Sequence, residues 1–281
     1  MKINFLFLFL ISLSLYSSNL RIDNYLDKWL NKKDSVLMFN YKTGKVLYEY
    51  HSYMFDEEIT IGSVFKIITT FLFLKKYGEK SLYRYSCNNS DSVKDLFCWK
   101  KEGHGNMNID TAFISSCNKF YYSLNLKLSS IKNISEYLGL NIDFYSKKLT
   151  ARDKKLIQAG NLPIIKANFY ELSKLLTVFA NNGIVMDIKT GKNISFIKEI
   201  DIIKKIRYLM FNVIQKGTGR KVFFKNYGFS GKTGTSKNDE NKLNGLFIGF
   251  LKDKPYAIIV NIYNNIGSIS AMIASDIFYL Y

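Results

Sequence analysis

Proline is almost missing from this chain: there are two in 281 residues. No Pro-, Gly- or Ser-rich stretch reads as a linker and no segment repeats, so a string of tethered modules or a solenoid is not indicated. Cysteine is also scarce, with three in all, too few for a disulfide-built scaffold. None is needed for stability, because 47% of the residues are hydrophobic and a chain of this length can bury a full core. Acidic residues are outnumbered, 23 against 40 Lys and Arg, for a formal net charge of +17. That excess could meet nucleic acid, an anionic membrane or an anionic polymer. The basic residues are dispersed, with only short pairs such as Lys32-Lys33 and Lys100-Lys101, and no DNA- or RNA-reading motif is present. The expectation is a solvated, lysine-rich surface suited to the cell envelope or a membrane face, with no nucleic-acid partner.

Long apolar runs are lacking apart from one, so no multi-span membrane region is expected. The exception follows Met1-Lys2, extends from Ile3 to Leu15 and ends in Tyr16-Ser17-Ser18-Asn19. A positive start, an apolar middle and a small polar exit fit a secretory signal. The run falls short of the about 20 residues a spanning helix needs, although Tyr16 and Leu20 could extend it into an uncleaved anchor. Residues 1–19 are therefore expected to be a signal peptide or membrane anchor, and residues 20–281 a periplasmic or otherwise extracytoplasmic domain. In that setting Cys87 and Cys98 could close a short disulfide loop, leaving Cys117 as a buried free thiol. Cys87, Cys98 and His104 could also be part of a zinc site. A fourth ligand is lacking and the spacing matches no familiar site, so neither metal nor cofactor is expected.

Along the exported part, Ile22 to Leu30 reads as a short helix, and Val36 to Tyr41 with Lys45 to Tyr50 as a hairpin around Lys42-Thr43-Gly44. Val64 to Tyr77 is a long apolar helix ended by Gly78. Residues 79–105 look like an irregular polar connection. Helical patterning returns over Ile109 to Leu128, Ile131 to Leu138 and Asn168 to Ala180, and then over Ile200 to Lys216 beyond a small hairpin at 184–196. Strands are expected at Tyr227 to Thr235, Gly245 to Leu251 and Tyr256 to Ile262, before a last helix from Ser268 to Tyr281. Strands at both ends with helices between them predict an α/β (α+β) fold. It would have an antiparallel sheet flanked by helices and an all-helical insert at about 105–185.

Three short motifs suggest chemistry, although each type recurs. Ser-x-x-Lys occurs at Ser63, Ser116, Ser129 and Ser195, and Lys-Thr-Gly at Lys42, Lys189 and Lys232. Ser-x-Asn also recurs, for example at Ser17 and Ser86. Flanks make the choice. Ser63 follows Gly62 and opens the apolar helix, so its side chain and that of Lys66 share one face. A lysine buried there should lose affinity for its proton and become a base, the more so if Lys232 stands near. Ser116-Cys117-Asn118 puts two polar side chains in an apolar helical setting, where they need partners. Lys232-Thr233-Gly234-Thr235 lies on a strand with glycines on both sides, which lets another group approach the backbone. The other Lys-Thr-Gly copies sit at hairpin tips, where Thr-Gly serves the turn.

In this order and with these flanks the motifs resemble those of the penicillin-binding transpeptidase family, within the serine penicillin-recognising group that includes class A and class D β-lactamases. The similarity extends over roughly residues 34–265. It takes in Gly62 to Ile67, Cys98 to Lys101, Gly103-His104-Gly105, the stretches Ile157 to Gly160 and Ala180 to Gly183, and Gly217-Thr218-Gly219. It implies a β-lactamase/transpeptidase-like fold and a near-minimal catalytic domain acting on D-alanyl-D-alanine stem peptides of peptidoglycan, with β-lactams as inhibitors. It also implies roles. Ser63 is the nucleophile, Lys66 its base, Ser116 the proton relay, and Asn118 an orienting amide. Lys232 holds Ser116 and faces the substrate carboxylate, while Thr233, Gly234 and Thr235 bind substrate. The backbone N–H groups of Ser63 and Thr235 form the oxyanion hole. Ile61 and Leu246 replace a proline and a tryptophan common in the family. The alternatives are a class D-like β-lactamase, which Asn118 disfavours because an aliphatic residue usually stands there, and a non-catalytic β-lactam or cell-wall sensor. Transpeptidation and carboxypeptidation are left open.

Overall fold

The computed structural model describes residues 19–88, 96, 98–144, 148–237 and 240–281. The apolar run read as a signal or anchor, up to residue 18, lies outside the described residues. Among the described residues no helix is long and apolar enough to cross a membrane.

Helix α1 covers residues 19–26. Strands β1 (Ser35–Asn40) and β2 (Val46–Tyr50) form the expected hairpin. After the short β3 (Ile59–Thr60), a 3-10 turn at Gly62–Phe65 leads into α2 (Lys66–Tyr77). Next come β4 (Tyr85–Asn88), β5 (Gly103–Met107), α3 (Ile109–Ser115), α4 (Asn118–Ser123), α5 (Leu128–Tyr137) and α6 (Ala151–Gln158). Strand β6 (Lys166–Ala167) pairs with β3 and precedes α7 (Phe169–Ala180). Strands β7 (Ile184–Asp187) and β8 (Lys192–Phe196), then α8 (Ile200–Gln215), follow as expected. The chain ends with β9 (Ser230–Lys237), β10 (Leu243–Phe250), β11 (Tyr256–Tyr263) and α9 (Gly267–Leu280).

The main sheet has the order β2-β1-β11-β10-β9 and is antiparallel throughout. Its central strands are apolar at nearly every position because both faces are covered. Along β1, Leu37 and Phe39 enter one core and Val36 and Met38 the other; along β11, Ala257 and Ile259 oppose Ile258, Val260 and Ile262 in the same way. That alternation is the two-residue period of a strand. Helices α1 and α9 cover one face, through Ile22, Leu26, Ala274 and Ile277. The larger core lies on the other face, where α2, α7 and α8 pack, and each large aliphatic or aromatic side chain buried there contributes about 1.5–3 kcal/mol. Every residue of α2 from Lys66 to Leu74 is buried, so this helix has no polar stripe and is enclosed by its neighbours.

The structure departs from the sequence reading in two places that matter for function. The segment at 79–105 is not wholly irregular, because β4 and β5 pair as an antiparallel ribbon. The helix expected from Ile109 to Leu128 is broken. Chain direction changes at Ser116, which takes a left-handed conformation (φ 53°) at the end of α3, and Cys117 then caps α4 in an extended conformation. A non-glycine residue there costs roughly 1 kcal/mol or more, so its surroundings must hold it.

Candidate active site

Three elements converge on a cleft of about 440 Å³. The first is the turn before α2. In a 3-10 turn residues three apart eclipse each other, and Lys66 Nζ accordingly lies 2.8 Å from Ser63 Oγ. The second is the α3–α4 break, which turns Ser116 and Asn118 toward the same amine. Lys66 Nζ donates to Asn118 Oδ1 at 2.6 Å and to the Ser116 carbonyl at 3.1 Å, and stands 3.2 Å from Ser116 Oγ. The third is β9, from which Lys232 Nζ reaches Ser116 Oγ at 3.2 Å and the Thr233 carbonyl at 3.0 Å. All five side chains expected to be catalytic therefore meet. Ser63, Ser116 and Asn118 line the cleft, and Lys66 and Lys232 are fully buried behind them.

Of the three residues expected to bind substrate, Thr233 and Thr235 line the cleft, as residues two apart on a strand should. Thr233 Oγ1 is 2.5 Å from Thr218 Oγ1, and Thr235 Oγ1 accepts the Gly267 N–H at the start of α9 at 2.9 Å. Gly234 does not line the cleft. A Cβ there would meet the Ile61 carbonyl oxygen at 2.5 Å, so its role is to let β9 press against the Ser63 turn.

The electrostatics follow from burial. The Lys66 amine is pushed down to about 7, chiefly by loss of solvent. Lys232 is also pushed well down, first by burial and then by the neighbouring Lys66 amine. Their partners are hydroxyls, carbonyls and an amide, and the rings of Tyr121 and Phe113 lie under Lys66 and Lys232 at 5.4 and 5.6 Å. A neutral amine at 2.8 Å from a hydroxyl can take its proton, and a hydroxyl between two amines can pass one on.

Other parts of the cleft wall were not assigned from the sequence. Trp99, Thr218, Arg220 and Lys221 line it too. Segments holding Trp99 and Thr218 had been matched to the family, but nothing local showed that their side chains face the cleft. Trp99 is held by its indole N–H, which donates to the Ser115 carbonyl at 2.8 Å.

Behind Trp99 lies a second group. The three cysteines are free thiols, and Cys87 Sγ and Cys98 Sγ are 3.7 Å apart, well beyond a bond. Ligand atoms of Cys87, Cys98, His104 and Cys117 all lie within 4.8 Å of one another. The fourth donor that the sequence seemed to lack is thus Cys117, the middle residue of the Ser116–Asn118 motif. The Cys98 thiol is pushed down to about 4, first by its hydrogen bond with Cys117 and then by His104, and Cys117 is correspondingly pushed up. Such a set could hold a soft divalent metal ion.

The profile of the penicillin binding protein transpeptidase domain matches residues 31–279. The chain belongs to this family. Peptidoglycan D,D-transpeptidase MrdA of Acinetobacter baumannii is 25% identical over 238 residues, covering 64% of this chain and 35% of that protein. The chain thus spans about a third of that relative's length. The fold is shared with solved structures that cover 95% of this chain. The D,D-transpeptidase domain of the Eggerthella lenta peptidoglycan glycosyltransferase has a TM-score of 0.69 at 17% identity, over 80% of its own chain. Pseudomonas aeruginosa PBP2 has a TM-score of 0.73 at 15% identity over 75% of its chain. Helicobacter pylori PBP2, solved with MreC, has 0.73 at 14% over 63%. The transpeptidase, β-lactamase-like fold expected from the motifs is therefore the fold of this chain.

Proposed function

We propose that this penicillin-binding transpeptidase domain transfers acyl groups from D-alanyl-D-alanine stem peptides of peptidoglycan through a covalent ester on Ser63. The observation that supports this most is the Lys66 amine, 2.8 Å from Ser63 Oγ and pushed down to about 7, which makes it a base near neutral pH. Neutral Lys66 takes the Ser63 proton as Oγ attacks the penultimate carbonyl. The carbonyl becomes an oxyanion, received by the backbone N–H groups of Ser63 and Thr235. Such donors are worth about 3–4 kcal/mol each in other serine enzymes. The C–N bond then breaks, and Ser116 hands a proton to the departing D-alanine amine, drawing it from Lys66. Asn118 fixes the Lys66 amine and the substrate amide.

The terminal carboxylate is met by Thr233 and Thr235 on β9. Burial and the neighbouring Lys66 amine push the Lys232 amine well down, and Arg220 and Lys221 add positive charge at the cleft wall. An arriving carboxylate would favour a proton on Lys232. The acyl-enzyme is resolved by an acceptor amine in transpeptidation or by water in carboxypeptidation, and a β-lactam traps Ser63 by the same attack. Residues 1–19 deliver the domain across the membrane or hold it there, and its cationic surface faces an anionic envelope.

The test mixes purified chain with a labelled penicillin. A stable adduct that disappears in Ser63→Ala supports the reading. Rapid turnover of the drug would point to a β-lactamase instead, and absence of labelling would sink both. A stem peptide with and without a D-amino acid acceptor then separates transpeptidation from hydrolysis.

A further inference from the structure

We propose that a second cavity, between α8, the start of β9 and the end of β10, binds an acidic saccharide, with a sugar ring against Tyr208 and Phe211 and its carboxylate or phosphate at Arg207. The cavity holds about 800 Å³, within the range of ligand sites. It is separate from the Ser63 cleft. The two share no lining residue, and Ser230 at its edge stands about 10 Å along β9 from Thr233. One wall is a single face of α8, because Lys204, Arg207, Tyr208, Phe211 and Gln215 follow one another at steps of one, three or four residues. The opposite wall is formed by the turn before β9 and the turn between β10 and β11. These turns brace each other: the Asp253 N–H donates to the Tyr227 carbonyl at 3.1 Å, and a Cβ on Gly228 would meet Lys252 Cβ at 2.7 Å.

Arg207 carries the anionic half of the argument. Its guanidinium is partly buried, lies 5.8 Å from the Phe250 ring and donates to the Asn182 amide oxygen. Among the described residues it makes no ion pair. Loss of solvent pushes it below the ordinary arginine value, yet a guanidinium keeps its proton. A cation that has given up water without gaining a carboxylate favours an incoming anion, and its forked donors match a carboxylate or a phosphate. Lys225 and Lys252 add positive charge around it, as does Lys204, which also faces Asp201 at 3.6 Å. Asp253 is the one carboxylate among the described lining residues. The formal net charge of +17 draws an anionic chain toward the protein from a distance.

The rest of the lining suits a sugar. Tyr208 and Phe211 are 56% and 37% exposed although both are large and apolar, and three residues apart on a helix they stand side by side. Together they offer a flat surface on which the C–H face of a pyranose ring can lie, while the Tyr208 hydroxyl stays available to water or ligand. Between them and Arg207 stand neutral groups that pair with ring hydroxyls: the Gln215 amide, and the Ser230 hydroxyl, which donates to the Gly228 carbonyl at 2.9 Å and can still accept. A bare anion would use Arg207 and leave the aromatic pair and the amide idle. A neutral sugar would leave Arg207 without a counter-charge.

The test titrates the full chain calorimetrically with four probes: N-acetylmuramic acid, glucose 6-phosphate, the neutral disaccharide of N-acetylglucosamine, and inorganic phosphate. At least one of the two acidic sugars should bind with a Kd of about 1 mM or below, and the tighter of them tells a carboxylate-bearing source from a phosphate-bearing one. The neutral sugar and inorganic phosphate should each bind at least about tenfold more weakly. Arg207→Gln should weaken the acidic sugar at least about tenfold, as loss of a charged hydrogen bond does. Tyr208→Ala and Lys252→Ser change exposed side chains, keep the fold, and should weaken it as well. Thr233→Ala, in the other cleft, should leave it unchanged. No binding of either acidic sugar overturns the proposal. So does a neutral sugar or inorganic phosphate that binds as tightly, or an affinity that Arg207→Gln and Tyr208→Ala leave intact. Binding is read without penicillin, and penicillin labelling of the Arg207→Gln chain should match the parent, so this outcome is separate from that of the acyl-enzyme reading.

Discussion

Lys66 and Lys232 converge on one atom: each amine stands 3.2 Å from Ser116 Oγ. Both are fully buried, and two ammonium groups that close in a poorly solvated site repel each other strongly. The arrangement therefore favours a state with fewer than two protons, and a hydroxyl placed between the amines can carry a proton from one to the other.

Ser116→Ala removes that bridge. Lys66 keeps Asn118 and the Ser116 carbonyl, and Lys232 keeps the Thr233 carbonyl, so the fold should survive with a modest fall in melting temperature. Proton delivery to the leaving nitrogen should suffer far more. Acylation by penicillin, followed by intact mass, should slow by about 10²–10⁴-fold, the usual value of a positioned acid–base group. A rate within threefold of the parent would remove Ser116 from the proton path.

Acylation should also depend on pH through Lys66. The amine is a base only when neutral, and its pKa is about 7 in the folded chain. The second-order acylation constant should rise about tenfold per unit below that value and level off above about pH 8. Stability shifts in the same direction. Between about 7 and the ordinary lysine value of 10.5 the unfolded chain holds a proton that the folded chain has released, so folding becomes more favourable as pH rises through this window. A rate profile that turns on only near pH 10 would exclude Lys66 as the base.

The Ser63–Lys66 pair could be read from the sequence because it is local, three residues apart at the start of one helix. The break after α3 could not. Ile109 to Leu128 contains no proline or glycine, and its apolar spacing continues through Ser116-Cys117-Asn118. What bends the chain there is tertiary: the Lys66 and Lys232 amines on one side and the cysteine cluster on the other. The β4–β5 ribbon escaped notice because Tyr85–Asn88 and Gly103–Met107 are short and largely polar, with no hydrophobic alternation. Without that ribbon Cys87 and His104 had no visible reason to lie near Cys117, and four donors spread over Cys87 to Cys117 make no compact metal motif. Trp99 and Thr218 were likewise placed at the cleft by folding and not by any local pattern.

Trp99 should act on binding more than on chemistry. Its side chain is half exposed, at 54%, so truncation costs little core packing. It nevertheless forms a broad apolar plate in the cleft wall, fixed by the hydrogen bond to Ser115. Trp99→Ala should weaken the initial penicillin complex about tenfold, equivalent to about 1.4 kcal/mol, with the maximal acylation rate nearly unchanged. Trp99→Phe, which keeps a plate without the donor, should recover most of the loss. Stopped-flow acylation over a range of drug concentrations separates the two constants, and a fall confined to the maximal rate would contradict this role.

The contact between the Ser63 turn and β9 makes a stability prediction with a built-in comparison. Gly62 and Gly78 bracket α2, and both have positive φ, of 52° and 73°; with ψ 170°, Gly78 lies in a region essentially reserved for glycine. Alanine should strain each by about 1–3 kcal/mol on conformational grounds alone, Gly78 no less than Gly62. Their surroundings differ. A Cβ on Gly78 meets nothing within 4 Å, whereas one on Gly62 meets the Thr235 carbonyl oxygen at 2.7 Å and its carbon at 2.9 Å. These are backbone atoms of a strand paired to β10 and cannot swing aside. Gly78→Ala should therefore cost only the conformational amount, and Gly62→Ala at least about 2 kcal/mol more, in the range of overpacked cores. Denaturant melts of the two variants measure the difference. Gly62→Ala should also lose penicillin labelling, because relief of the clash moves β9, with Thr233 and Thr235, away from Ser63. Equal melts for the two variants would mean that β9 does not rest on the nucleophile turn.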